Sequence, residues 1–399
     1  MSTNLPIQHP AALPPLGLYV HFPWCIAKCP YCDFNSHSLR GDLPEQAYID
    51  ALLNDLILTL EPLTDRTLQS VFLGGGTPSL FSARSIARVL DAVRDRIRLA
   101  ENAEITMEAN PGAIEHSEFS GYVDAGINRL SLGVQSFSDE KLRVLGRIHD
   151  ADQARSAFAQ ARAAGIRNIN VDLMYGLPGQ SVAQAVTDLS TAVGLGPEHI
   201  SWYHLTLEPN TVFYSRPPEL PDEESVWKMQ CAAAPEFTAA GFVNYEISAW
   251  CLPGYESRHN LNYWEYGDYA GVGAGAHAKL TAPDGRVTRE ARPAHPREYM
   301  SQAVEGKFAA KPAVVQEDDR VFEFMLNRLR LMREFSLESF EARTGLERSV
   351  VAARLDEAVA RRLLGEIVPG CFAPTELGRR FLDDLQAIFL PVKPRHRQS

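Results

Sequence analysis

Tyr19-Val-His-Phe-Pro-Trp-Cys25-Ile-Ala-Lys-Cys29-Pro-Tyr-Cys32-Asp-Phe-Asn-Ser-His37 decides how the rest of the 399-residue chain is read. The apolar run Leu18–Phe22 has strand composition, and Pro23 ends it. Three cysteines follow in a C-x3-C-x2-C pattern, in a loop constrained by Pro23 and Pro30. Thiols this close can converge on one soft metal centre. Structural zinc normally takes four protein ligands, often as two C-x2-C pairs. The remaining cysteines, Cys231, Cys251 and Cys371, are solitary and distant, and read most simply as small apolar residues. Three thiolates suit a [4Fe-4S] cluster with one iron left open to an exogenous ligand. Zinc and a redox dithiol are the alternatives at this stage. His21 and His37 flank the motif as further candidate ligands, although histidines so placed are more often core or surface residues.

Outward from this loop, short apolar runs alternate with amphipathic stretches. Strands are expected at Leu18–Phe22, Ser70–Leu73, Glu104–Glu108, Arg129–Val134, Asn168–Met174 and His199–Leu205. Helices are expected at Pro44–Leu60, Ala83–Ile97, His116–Ala125, Ala151–Ala164, Ser181–Val193 and Asp222–Ala240. In the first of these Tyr48, Leu52, Leu53, Leu56 and Leu60 recur at helical spacing. Six strand–helix units in series imply parallel strands joined by right-handed crossovers. The expected class is therefore α/β, a partial (β/α)6 barrel, with a doubly wound sheet as the alternative. A barrel carries its site at the C-terminal strand ends, and the unusual residues fall there. From about Phe242 the rhythm changes. Asn244–Trp250 and Tyr263–Leu280, with the run Gly271-Val-Gly-Ala-Gly-Ala276, read as a sheet extension plus loops. Helical patterns return at Arg320–Leu331, Leu337–Thr344 and Val350–Arg362; a turn at Pro369-Gly370 then leads to Leu377–Phe389. That order reads as a small helical, winged-helix-like domain. The expected division is a tail over 1–15, a barrel over 16–250, a sheet extension with connecting loops over 251–315, and the C-terminal domain over 316–399.

Composition sets the outer limits. With 45% hydrophobic residues the chain is globular, which excludes a disordered or fibrous protein. Fifty acidic against 39 basic residues give a net charge of −11, which argues against nucleic acid or an anionic membrane surface as a general partner. No basic, apolar leader opens the sequence, and prolines at 6, 10, 14 and 15 break any helix there. No window approaches the ~20 apolar residues of a membrane span, so no intrinsic membrane anchor is expected. A cytoplasmic protein with reduced thiols is expected, in which a tight cysteine group is metal-binding or catalytic.

The other strand ends carry polar residues in series. The second runs into Gly74-Gly-Gly-Thr-Pro78, where missing Cβ atoms let the backbone approach a ligand closely. Further on stand Glu108-Ala-Asn-Pro111, Gln135-Ser-Phe137, Gly146-Arg-Ile-His149 and Asp172-Leu-Met-Tyr-Gly-Leu-Pro-Gly179. Glu108 suits a cationic or ribose group, Gln135 and Asp172 suit hydroxyls, and Arg147 can hold a carboxylate by two parallel hydrogen bonds. Arg258-His259-Asn260-Leu-Asn-Tyr263-Trp264 is a second distinctive segment. A histidine beside aromatics could ligate haem iron while the rings stack on the macrocycle, or it could hydrogen-bond a loop over an aromatic core. His204 and His277 are the other histidines to consider for such a role.

C-x3-C-x2-C after a first strand, with Tyr31 just before the last cysteine, resembles the radical S-adenosylmethionine (SAM) superfamily. The resemblance implies a [4Fe-4S] cluster on Cys25, Cys29 and Cys32 whose open iron binds SAM. The series YVHxPWC, GGGTPS, EANP, GVQSF and GLPGQ resembles oxygen-independent coproporphyrinogen III oxidase and its relatives over roughly residues 16 to 390. It implies that Tyr19, Gly75 and Glu108 touch the cluster-bound SAM, and that Gly76, Thr77, Gln135, Arg147 and Asp172 line the adjoining cavity. The oxidases carry a fourth cysteine two residues after the third, where this chain has Phe34, and a longer region before the cluster. Both departures resemble the HemW-type haem chaperones, which keep the cluster motif and are not thought to oxidise coproporphyrinogen. H-N-x-x-Y-W is also similar to a pattern of this group, with His259 as the candidate haem ligand. The resemblance thus implies haem as cargo, an unidentified haem-acceptor protein, and an electron donor such as a flavodoxin or ferredoxin. It assigns no catalytic residue, and the oxidase is the alternative function.

Overall fold

The structure is a computed structural model and describes residues 13–113, 118–306, 308 and 312–391. Leu16–Phe22 (β1) is buried at six of its seven positions. A strand covered on both faces in this way reads as a continuous apolar run. Thr67–Gly75 (β2), Arg98–Ala109 (β3), Arg129–Gln135 (β4), Ile169–Tyr175 (β5) and His199–His204 (β6) follow beside it in chain order, all parallel. The six expected strands therefore form as six neighbours. Antiparallel Val243–Glu246 (β7) and Ala249–Cys251 (β8) extend the sheet beyond β6. On the other edge, Asp268–Val272 (β9) pairs parallel with β1. Antiparallel His277–Thr281 (β10), Val287–Ala291 (β11) and Ala313–Val314 (β12) complete that side. The order β12-β11-β10-β9-β1-β2-β3-β4-β5-β6-β8-β7 has two free ends, as a partial barrel requires. The parallel part is thus one strand larger than expected, because β9 comes from the stretch read as an extension.

Helices fill the crossovers where the periodicity placed them. Glu45–Leu60 (α1), Ala83–Arg94, Ala151–Ala163, Val182–Leu195 and Glu223–Ala239 match their expected spans closely. Asp150 with Gln153, and Ser181 with Gln184, form reciprocal capping boxes that fix two of the starts. The helix expected from His116 is seen as Glu118–Ala125, its first residues lying outside the described ones. Most of the expected N-terminal tail also lies outside them. Pro14 and Pro15 are nonetheless tied to the sheet, accepting hydrogen bonds from Arg66 and from the Asp268 N–H.

The turn after β9 is locked to α1 through Asp55, which is fully buried. Its carboxylate pairs with Arg292 Nε at 3.0 Å and accepts from the Tyr299 hydroxyl and the Gly273 N–H. Removing the charge leaves a buried guanidinium without its main counterion. Asp55→Asn is expected to cost about 2 kcal/mol in denaturant unfolding, as loss of a charge-assisted buried bond does.

Glu317–Arg328, Leu337–Thr344 and Ala352–Ala360 build the C-terminal domain on a separate apolar cluster that includes Phe324, Phe340 and Leu355. The turn at Pro369-Gly370 joins two strands, Leu364–Val368 (β14) and Cys371–Pro374 (β15), and Phe335–Ser336 (β13) pairs with the latter. This three-stranded sheet makes the domain less purely helical than expected.

Candidate functional site

Residues Trp24–Cys25 pair with His37–Ser38, closing the cysteine loop back on the end of β1. The His37 N–H donates to the Pro23 carbonyl at 2.7 Å, and the Leu39 N–H to the Cys25 carbonyl at 2.8 Å. Cys25, Cys29 and Cys32 are each half-buried on one cavity of about 520 Å3. Among the described residues no three His, Cys, Asp or Glu side chains close tightly enough to hold a single ion. The thiols share a cavity rather than a point. Each has a polar neighbour: the Thr77 hydroxyl donates to Cys25 Sγ at 3.3 Å, Arg147 Nη1 to Cys29 Sγ at 3.5 Å, and Ser36 Oγ lies 3.8 Å from Cys32 Sγ. Burial pushes the Cys25 and Cys32 thiols up.

The same cavity is lined by Tyr19, Tyr31, Gly75, Gly76, Thr77, Glu108, Gln135, Arg147, Asp172 and His259, so the structure brings all thirteen sequence-derived residues together. The glycine run knits β2 to the end of β1, with Gly76 N–H donating to Phe22 O and Thr77 N–H to Trp24 O. Gly75 sits at φ +108, and a Cβ there would lie 2.3 Å from the His21 ring. Its N–H donates to Glu108 Oε2 at 2.9 Å. Glu108 is otherwise deprived of water. Burial, reinforced by Asp172 and opposed by the Gly75 bond, raises it to about 7. Burial also raises Asp172, which accepts from Ser131 and Asn170. Gln135 holds φ +71, a costly conformation outside glycine. It accepts from the Tyr203 hydroxyl at 2.6 Å. Burial raises Tyr31 against the opposing pull of Arg147. Arg147 also donates to Gly133 O at 2.7 Å, while its Nε is buried without a partner. Two buried acids, an under-bonded guanidinium and a glycine cradle fit a ligand carrying a cation, a carboxylate and hydroxyls.

Sequence reasoning missed the deeper wall. Arg129, Ser131, Asn170, His199, Ser201 and Tyr203 all line the cavity. Arg129 is 2% exposed and ion-paired to Glu104 at 3.7 Å through Nε, with neither Nε nor Nη2 in a hydrogen bond. Period-two alternation along the strands was the available signal, since Arg129, Ser131 and Gly133 share one face of β4 with Gln135.

His259 lies in the helix Arg258–Trp264, whose first N–H groups are accepted by Glu104. Nδ1 lies 2.9 Å from Ser70 Oγ and Nε2 3.1 Å from the Tyr263 hydroxyl. The ring stacks on Phe72, and burial pulls its pKa down to about 3. Both nitrogens are engaged, so iron ligation would require giving up one of these bonds. His21 is similarly committed, to Tyr19 and to the Asn35 carbonyl.

An open parallel sheet with a three-thiol loop after its first strand and a glycine cradle after its second defines a radical SAM protein. The family model for the radical SAM superfamily matches residues 19–191, and that for the HemN C-terminal domain matches 315–381. The chain is 49% identical to “Heme chaperone HemW” of Escherichia coli K12, covering 95% of this chain and 99% of that one. It is 47% identical to the protein of the same description in Haemophilus influenzae, over 95% and 98%. The chain belongs to the HemW haem-chaperone family. Its fold is that of the solved coproporphyrinogen III oxidase HemN of Escherichia coli, a radical SAM enzyme, with TM-score 0.80 at 22% identity over 94% of this chain and 90% of that one.

Proposed function

We propose that this chain is a haem chaperone that carries a [4Fe-4S] cluster on Cys25, Cys29 and Cys32, binds SAM beside it, and holds haem for transfer to an acceptor protein. The observation that carries the reading is the shared cavity: three thiols at one wall, and acids, guanidinium and glycine cradle around them. A cluster of four irons spans separated thiols that a single ion does not. Glu108 and the Gly75 backbone suit the amino group of SAM, Arg147 its carboxylate, and Asp172 and Gln135 its hydroxyls. The chemistry such a centre supplies is one-electron transfer. The chain's own residues hold the ligand, orient it and keep water from the acids. Phe34 stands at the cavity where the oxidases have a fourth cysteine; it is 59% exposed and offers no thiol. This favours carrying over turnover.

An electron donor such as a flavodoxin or ferredoxin belongs to the same reading, as do a cytoplasmic setting and the division at residues 15, 250 and 315. No helix among the described residues is long and apolar enough to cross a membrane. The test is a haemin titration of the anaerobically reconstituted chain. Saturable binding with a shifted Soret band is expected; absence of any shift removes the transfer role.

A further inference from the structure

The three thiols of the loop each meet a donor from a different part of the chain. Thr77, in the glycine run after β2, gives its hydroxyl to Cys25 Sγ at 3.3 Å. Arg147, shortly after the helix Asp139–Val144, gives Nη1 to Cys29 Sγ at 3.5 Å. Ser36, at the close of the loop itself, has Oγ 3.8 Å from Cys32 Sγ. A sulfur that ligates iron carries no proton, so the serine hydroxyl is the donor there as well. We propose that Thr77, Arg147 and Ser36 set the reduction potential of the cluster by hydrogen bonding to its three ligating sulfurs. The proposal rests on the cluster assignment to Cys25, Cys29 and Cys32 and adds what governs the cluster's electron.

The local structure holds each donor on its sulfur. Thr77 and Ser36 are buried, and among the described residues neither hydroxyl has a partner other than the cysteines. A buried hydroxyl without an acceptor is costly, so the sulfur is what satisfies each of them. Backbone bonds fix both residues, with Thr77 N–H donating to Trp24 O at 2.8 Å and Ser36 N–H to Phe34 O at 2.6 Å. Arg147 is aimed from two sides. Its N–H donates to Leu142 O at 2.9 Å, and Nη2 donates to Gly133 O at 2.7 Å. A Cβ at Gly133 would stand 3.3 Å from that Nη2, so glycine leaves the guanidinium its room. Arg147 forms no ion pair among the described residues, and its charge faces the sulfur uncompensated.

Reduction adds one electron to the cluster, taken from a one-electron reductant, and no bond is made or broken. The added negative charge spreads onto the sulfurs. Donors pointed at them stabilise the reduced form more than the oxidised one, which raises the potential. The guanidinium contributes a full charge in a half-buried cavity, where screening by water is weak, and has the largest effect. The hydroxyls act as dipoles, and the longer contact ranks Ser36 last. All three act through the ligating sulfurs and need touch no substrate.

The experiment is an anaerobic redox titration of the full reconstituted chain without SAM. The midpoint is read from the EPR signal of the reduced cluster, and iron and sulfide are assayed on the same samples. Leaving SAM out separates this role of Arg147 from its grip on the SAM carboxylate. Arg147→Gln is expected to shift the reduction equilibrium about tenfold toward the oxidised form, or ~59 mV for one electron. Thr77→Val keeps the volume and removes the donor, and is expected to shift it about threefold in the same direction. Thr77→Ser restores the wild-type midpoint, and Ser36→Ala shifts it least. Thr77→Val removes no charge, so it reports the hydrogen bond alone should Arg147→Gln hold little cluster. A merely structural role would change cluster content or stability and leave the midpoint of the remaining cluster in place. Wild-type or raised midpoints in Arg147→Gln and Thr77→Val, at full iron and sulfide, overturn the proposal and leave the cluster assignment standing. A wild-type chain that takes up neither iron nor sulfide overturns both.

Discussion

Replacing Cys25, Cys29 and Cys32 together by Ala is expected to abolish iron and acid-labile sulfide in the anaerobically reconstituted protein while leaving its secondary structure in place. The loss is complete because these are the only cysteines on the cavity. The fold survives because the loop is closed by backbone bonds, His37 to Pro23 and Leu39 to Cys25, and not by the thiols. The thiols are half-buried, and trimming them opens space toward an existing cavity rather than inside the packed core. Sulfide distinguishes a cluster from zinc, since a zinc site retains metal without it. Iron and sulfide unchanged in the triple variant, measured against circular dichroism as the control, refute the assignment of these ligands.

Glu108→Gln is expected to weaken SAM binding by about two orders of magnitude, near 2.7 kcal/mol, because a buried ammonium then lacks its counter-charge. The pH dependence gives a sharper signature. Burial holds the unliganded Glu108 at about 7, above its ordinary 4.5. Raising the pH through 7 ionises it, so SAM affinity in the wild type rises across that range and that of Glu108→Gln stays flat. Stability of the unliganded chain moves the other way. The folded state binds more protons than the unfolded state between pH 4.5 and 7, so the wild type loses stability as pH rises through that window. Melting curves at pH 5 and 8 should show the wild type falling relative to Glu108→Gln at the higher pH. A SAM affinity that is equal in the two proteins and independent of pH removes Glu108 from the ligand.

Much of this site was legible because parallel strands buried on both faces announce themselves as apolar runs, and their ends mark the active face. Cys25, Gly75, Glu108 and Gln135 each follow or end such a run, while Asp172, expected at a strand end, lies in the middle of β5; one cavity gathers all five. β9 was not legible as a parallel strand. Its sequence, Asp-Tyr-Ala-Gly-Val, opens on an acid whose burial makes sense only once Arg66 and Lys279 converge on it from elsewhere in the chain. The C-terminal hairpin hid for a related reason: Gly365 and Glu366 break the apolar run of β14, and its pairing with β15 supplies the order that composition does not. His259 shows the limit most clearly. Neighbouring aromatics suggested a ligand, but its hydrogen-bond partner Ser70 lies 189 residues away and is invisible to local reading.

Carrying haem, rather than oxidising a porphyrinogen, is the central claim, and product analysis tests it most directly. The reconstituted chain is incubated anaerobically with SAM, a reductant and coproporphyrinogen III, and protoporphyrinogen is measured over time. The account predicts none above background, from protein shown in parallel to bind haemin saturably. Accumulation of protoporphyrinogen over several turnovers would contradict it.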